Sequence, residues 1–282
     1  MGRIPALLIL AGLCQAAAAE PRAHLRPGPA ATIATFAAGS SCAAHRWGVQ
    51  GRAPPGFIQG IALVFARSVC RADQPEVRLA AAAKPGPGAA ERRTDALGAY
   101  DGAFRATRMA NEADGLDTLR HTYVLLIGLG MRESTGRYCA GRDGAGHKTD
   151  ARTAEAGLFQ TSWGTSRSHP ALPNLFARYE ADRSRCLRRV FGRGVTCSAH
   201  HARNWGFGEG ARWQQLTKTC PAFATEYAAI VVRTIGGAPG AFGPIRRRTV
   251  ALRPECDRML WRIQSLVRSD PAYCAALQGA SQ

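Results

Sequence analysis

The chain has 282 residues, 46% of them hydrophobic, and carries 37 lysines and arginines against 20 acids, for a formal charge of +17 at pH 7. That length buries a substantial core, which excludes disorder as the overall state. No stretch approaches the roughly 20 consecutive apolar residues of a permanent membrane span. The positive excess, mostly arginine spread along the chain, sets up a broad field that favours anionic partners such as cell-wall polymers or a membrane surface. A solvated surface of an arginine-rich protein is the plain alternative. No zinc finger or other nucleic-acid motif accompanies the charge, so no nucleic-acid partner is expected.

Residues 1–19, MGRIPALLILAGLCQAAAA, have the form of a secretory signal peptide: one arginine, an apolar run from Ile4 to Leu13, and small residues at Ala17 to Ala19. Cys14 raises the possibility of a lipid anchor, but Leu13 stands where a small residue precedes a lipidated cysteine. Cleavage after Ala19 leaves Cys42, Cys70, Cys139, Cys186, Cys197, Cys220, Cys256 and Cys274, an even set that favours disulfides in a periplasmic or secreted protein. Spacing does not fix their connectivity; Cys42 with Cys70 and Cys186 with Cys197 are the economical pairs. His200 and His201 beside Cys197 offer a rival zinc reading, but no C-x2-C pair accompanies them, so no metal is expected.

Two Ala/Pro/Gly-rich stretches, RPGPAATIATFAAGSS and AAAAKPGPGAAERR, read as linkers. Between them, Gly56 to Asp73 forms one amphipathic helix with Ile58, Ile61, Val64, Phe65 and Val69 on one side. Residues 20–93 thus read as an extension, and 94–282 as the main domain. There the apolar spacing predicts helices over Ala96–Met109, Asp117–Ser134, Leu172–Phe191, Pro221–Ile235 and Cys256–Leu277. Strand-like alternation is scarce, so the fold class is mainly α.

The segment DTLRHTYVLLIGLGMRES has Asp117 as a good N-cap and Gly136 just past its end. Leu119, Tyr123, Leu126, Gly130 and Glu133 follow at steps of 4, 3, 4 and 3, so Glu133 lies on the apolar face. Gly128 and Gly130 each cost on the order of 1 kcal/mol of helix propensity, which points to another backbone or a ligand close by. Desolvation and the negative end of the helix dipole both push an inward Glu133 towards its protonated form, the environment of a general acid. An ion pair with Arg132 or Arg137 is the competing reading.

Arg132-Glu133-Ser134, followed by Ala156-Gly157-Leu158-Phe159-Gln160, resembles the Glu-Ser and Gly-Leu-Met-Gln segments of the soluble lytic transglycosylases and goose-type lysozymes, over about 30 residues. The resemblance implies a lysozyme-like fold acting on the β-1,4 glycan of peptidoglycan, with Glu133 as catalytic acid/base and the loop through Gln160 lining a sugar cleft. Phe159 stands in place of the usual methionine, and Glu155 where those transglycosylases commonly carry alanine. Glu155 is therefore a candidate second carboxylate, positioning water or stabilising a cationic transition state, or else a loop residue paired with Arg152. Asp143 and Asp150 are further candidates. Ser134 and Gln160 offer hydrogen bonds to sugar. Trp205, Phe207 and Trp213 offer aromatic faces for sugar rings or for the core, and Tyr227 stands where transglycosylases often place an active-site tyrosine. No cofactor is expected. The other functional classes consistent with the sequence are a non-catalytic wall-binding protein on the same scaffold and a hydrolase of chitin-like polymers.

Overall fold

The computed structural model describes residues 27–141 and 150–279; the leader read at 1–19 and Asp143 lie outside them. The protein is mainly helical, and the strand-like pairing among the described residues is confined to two isolated bridges, Arg46 with Arg52 and Ala156 with Thr161. The helices that organise the fold are α1 (Pro29–Ala38), α2 (Pro55–Val69), α3 (Pro75–Ala81), α4 (Leu116–Ser134), α5 (Ala171–Ala181), α6 (Gly208–Thr219), α7 (Pro221–Thr234), the four-residue α8 (Gly243–Arg246), α9 (Pro254–Ser269) and α10 (Pro271–Gly279).

Helices α2, α4 and α7 form the interior. Every residue of α2 from Gly56 to Val69 is buried, as is every residue of α4 from Thr118 to Met131 and of α7 from Pro221 to Arg233. A helix buried all round has to be covered all round. For α4 the cover comes from α2, α3, α7 and α9, with α8 against it as well. The two glycines within it mark where cover comes closest. A β-carbon at Gly128 would lie 2.4 Å from the Ala251 carbonyl oxygen, and one at Gly130 would lie 2.8 Å from the Phe57 ring.

The segment before residue 94 differs from its sequence reading as an extension with one amphipathic helix. The stretch read as a linker contains α1, with Pro29 at its start and Ile33, Ala34 and Ala37 buried against α2. Alanine's high helix propensity and a proline at N1 are enough to form it once a partner surface exists. Helix α2 shares its core with α4, α7 and α9. Of the stretch read as the second linker, Ala80 and Ala81 complete α3 and Ala90–Arg93 form a 3-10 turn, and the segment is held down. Arg233 of α7 donates from Nε and Nη2 to Asp95, and also to the carbonyls of Leu79, Ala80 and Ala83. Asp95 in turn accepts the Leu97 N–H at 2.7 Å and caps the helix Ala96–Ala99.

Other boundaries shift. The start of α4 is capped by Gly115, with Asp117 in the first turn bonded to Arg120 instead of acting as N-cap. The expected Leu172–Phe191 helix stops at Ala181 and resumes at Arg188–Phe191. The expected Cys256–Leu277 helix breaks at Asp270, because Pro271 lacks the N–H that would continue it and biases the preceding residue to extended backbone.

Four disulfides join Cys42 to Cys256, Cys70 to Cys274, Cys139 to Cys197 and Cys186 to Cys220. The short-range pairs expected from spacing do not form. Cys42 and Cys70 bond Cys256 in α9 and Cys274 in α10, respectively. Cys186 instead meets Cys220 at the start of α7, where its carbonyl also accepts the Ala222 N–H.

Close approach at Gly128 sets a test. Gly128→Ala should lower the stability to chemical denaturant by about 1–3 kcal/mol through overpacking, although alanine is the better helix former. Gly102→Ala, on an exposed helical site with nothing within 4 Å of the added carbon, should instead raise it by about 0.5–1 kcal/mol. Equal stability of Gly128→Ala and the parent would remove the close contact.

Candidate active site

Helix α4 delivers Glu133 to the edge of the core. Its last turn ends at Ser134; Thr135 adopts the left-handed conformation, φ 54°, and Gly136 follows at φ 74° with its N–H bonded to the Gly130 carbonyl. The chain therefore turns sharply one residue earlier than the glycine suggests, and Glu133 is left half-buried. Among the described residues it forms no ion pair. Arg137 Nε donates to the Ser134 carbonyl at 3.3 Å. Arg132 Nη1 reaches the Gln50 amide oxygen at 2.9 Å when that amide is oriented to satisfy both its ends.

The loop bearing Glu155 and Gln160 is fastened to the same end of α4. Ala156 N–H donates to the Thr161 carbonyl and Gly157 N–H to the Ala140 carbonyl, both at 2.9 Å. Gly157 has φ 78°, and a β-carbon there would lie 2.7 Å from the Thr217 hydroxyl of α6, so a tight glycine turn is required. Phe159 is fully buried, with its ring edge 3.3 Å from where a Gly130 β-carbon would sit. It docks the loop onto α4.

The electrostatics follow from this packing. Burial, and secondly the negative charge of Glu155, raise the Glu133 carboxyl from its usual 4.5 to about 7, against the opposing pull of Arg247, Arg246 and Arg132. Glu155 is itself half-buried. Two carboxyl groups that feel each other, one with its proton held near neutral pH, are the arrangement that general acid catalysis uses.

The remaining sequence-nominated residues are placed less directly. Ser134 is buried and its hydroxyl donates to the Gly130 carbonyl at 3.1 Å, a bond within the helix. Gln160, at φ 46°, donates from Nε2 to the Gly157 carbonyl at 2.8 Å and holds the loop's turn. Tyr227 is fully buried in α7; its hydroxyl meets Thr165 at 3.0 Å, and burial pushes the phenol well above its usual range. Trp213 is also fully buried, 5.5 Å from the Tyr227 ring, and belongs to the core. Trp205 is half-buried, its backbone gripped on both sides by the Gln214 amide, which also bonds the Ala151 carbonyl.

Asp150 lines an open cleft of about 630 Å³ whose walls include Arg152, Trp163, Arg167, Phe207 and Glu209 but not Glu133. Phe207 is 93% exposed there, so of the three nominated aromatics it is the one that presents a free face. Among the described residues, no three His, Cys, Asp or Glu side chains converge as a metal site. The sulfur of Cys197, beside His200 and His201, is bonded to Cys139 and is not a thiolate ligand. Sequence reasoning missed Arg246 and Arg247 as neighbours of Glu133. The run Arg246-Arg247-Arg248 was visible, but nothing local ties it to a helix end more than 100 residues earlier.

No protein family, curated protein or solved structure matches the chain.

The raised Glu133 makes a pH-dependent prediction. Its folded value lies above its unfolded one, so its stabilising contribution is fully present below about 4.5 and lost as pH rises through about 7. Relative to Glu133→Gln, the parent should therefore lose on the order of 1–2 kcal/mol of stability between pH 5 and pH 8, allowing for solvent screening of a half-buried group. Parallel denaturation curves at several pH values check it; a constant difference would mean an unshifted carboxyl.

Proposed function

We propose that the protein is an exported enzyme that cleaves β-1,4 glycosidic bonds of bacterial peptidoglycan on a lysozyme-like scaffold, as a lytic transglycosylase or a lysozyme-type glycosidase. The observation that carries this reading is Glu133: an acid at the end of a buried helix, without an ion-pair partner among the described residues, raised towards neutral pH beside a second carboxylate. The docking of the Ala156–Gln160 loop against Gly130 supports it, since the two segments that resemble the transglycosylases then meet. Four disulfides support export to an oxidising compartment, periplasmic or extracellular. No helix of the described residues is long and apolar enough to cross a membrane.

In the proposed reaction Glu133 gives its proton to the glycosidic oxygen as the C1–O bond breaks, and positive charge develops on the sugar ring. The ionised Glu133 and Glu155 then face that charge. C1 is then captured either by water or by the sugar's own 6-hydroxyl, which gives a 1,6-anhydro product; in each case the new bond is C1–O and the attacking hydroxyl's proton passes to a carboxylate. In this reading the loop through Gly157 and Gln160 lines the sugar cleft, as the resemblance implies.

Mass spectrometry of the products from purified peptidoglycan tests the reading. Hydrolysed and 1,6-anhydro fragments differ by one water, and intact strands would end the proposal. Glu133→Gln should leave a folded protein and cut turnover on the order of 10² to 10⁴; near-parental turnover would assign the proton to another group. Glu155→Gln should cost about tenfold if it positions water or stabilises charge. Unchanged turnover in that variant would leave Glu133 acting alone.

A further inference from the structure

Arg246, Arg247 and Arg248 occupy the end of α8 and the turn after it, and all three are exposed. Their backbone is held in place. Arg248 N–H donates to the Ile245 carbonyl at 3.0 Å, Thr249 N–H to the Pro244 carbonyl at 2.9 Å, and the Arg246 side chain to the Gly240 carbonyl. Helix α8 packs on α4, and the chain that leaves it crosses α4 at Gly128. The arginine run is thereby mounted on the helix that ends in Glu133, whose next-door residue Arg132 is also exposed. Arg246, Arg247 and Arg132 act electrostatically on Glu133, and Arg248 and Arg132 both act on the Tyr100 hydroxyl.

Three buried arginines of this chain have carboxylate partners: Arg233 has Asp95, Arg120 has Asp257 and Arg71 has Glu226. Among the described residues, none of Arg132, Arg246, Arg247 and Arg248 forms an ion pair with an acid. Three cations, Arg132, Arg246 and Arg247, act on one acid that burial keeps from serving as their counter-ion, and Arg248 follows in the same exposed turn. A guanidinium presents paired N–H donors that match a carboxylate's two oxygens.

We infer that Arg132, Arg246, Arg247 and Arg248 bind a carboxylate of the substrate beside Glu133, and so select carboxylate-bearing glycans over neutral ones of the same length. The inference rests on the glycan-cleaving reading for the kind of polymer involved. In peptidoglycan such a carboxylate comes from the stem peptide or, where the peptide has been removed, from the lactyl ether of the sugar itself. A neutral chitin-type strand has neither.

Binding titrations in the Glu133→Gln background test this with three probes: soluble peptidoglycan strands carrying stem peptides, the same strands stripped of peptide by an amidase, and a neutral chitooligosaccharide. At least one carboxylated probe should bind about tenfold more tightly than the neutral one, with the advantage shrinking as salt is raised. The triple variant Arg246→Gln/Arg247→Gln/Arg248→Gln should lose that advantage and leave the neutral probe's affinity unchanged. The carboxylated probe that shows the preference identifies the source. Should the triple variant fail to fold, Arg132→Gln/Arg247→Gln serves in its place, with a thermal melt confirming an intact fold. Equal binding of all three probes, binding of none, or a preference that survives loss of the arginines overturns the inference. Cleavage is not read in these titrations. An arginine-dependent preference in a protein that leaves peptidoglycan intact would sink the enzymatic reading alone, and cleavage without the preference would sink this one alone.

Discussion

The rest of the structure depends on α4 being surrounded. A helix with no solvent face from Thr118 to Met131 can be covered only if neighbours approach its backbone, and Gly128 and Gly130 are where they do. That covering fixes the position and direction of the helix end. Glu133 consequently projects from the last turn of a packed helix and not from a loop. The same packing strips water from one side of the carboxyl and raises it.

An arginine-rich chain meets a second constraint: a charge moved inside must be matched. Arg233 is satisfied by both oxygens of Asp95 and by three backbone carbonyls, and Arg120 by Asp257, Asp117 and the Gln264 amide. Such pairs add little net stability against an apolar alternative, but losing one partner strands the other. Their role here is geometric, since each ties a helix to a segment remote in sequence. Arg233 does this for the segment from the end of α3 to Asp95.

Much of the central helix was legible because its information is local: a 3.6-residue apolar period, a stop near Gly136, and two costly glycines that announce close neighbours. The inward setting of Glu133 followed from the same spacing. What escaped is whatever depends on partners far away in sequence. The Ala-rich segment holding α1 looks like a linker until α2 supplies a surface for it, and Ser40 caps the short helix after it by accepting the Ala43 N–H. Cystine pairing followed three-dimensional proximity across 214 and 204 residues, beyond any rule of spacing. Tyr227 and Trp213 carry aromatic side chains suited equally to a cleft and a core, and only packing distinguishes the two. The arginines near Glu133 were hidden by their abundance elsewhere.

The bridges Cys42–Cys256 and Cys70–Cys274 fasten the beginning of the described chain to its end. Between Cys70 and Cys256 the polypeptide is thus a doubly closed ring. A protease that severs one peptide bond in that span opens the ring without dividing the molecule, and the helical core keeps its pieces at high effective concentration. Damage by single cuts would then be silent on a non-reducing gel and visible only after reduction. A protein so joined tolerates nicking as a loss of continuity instead of a loss of parts.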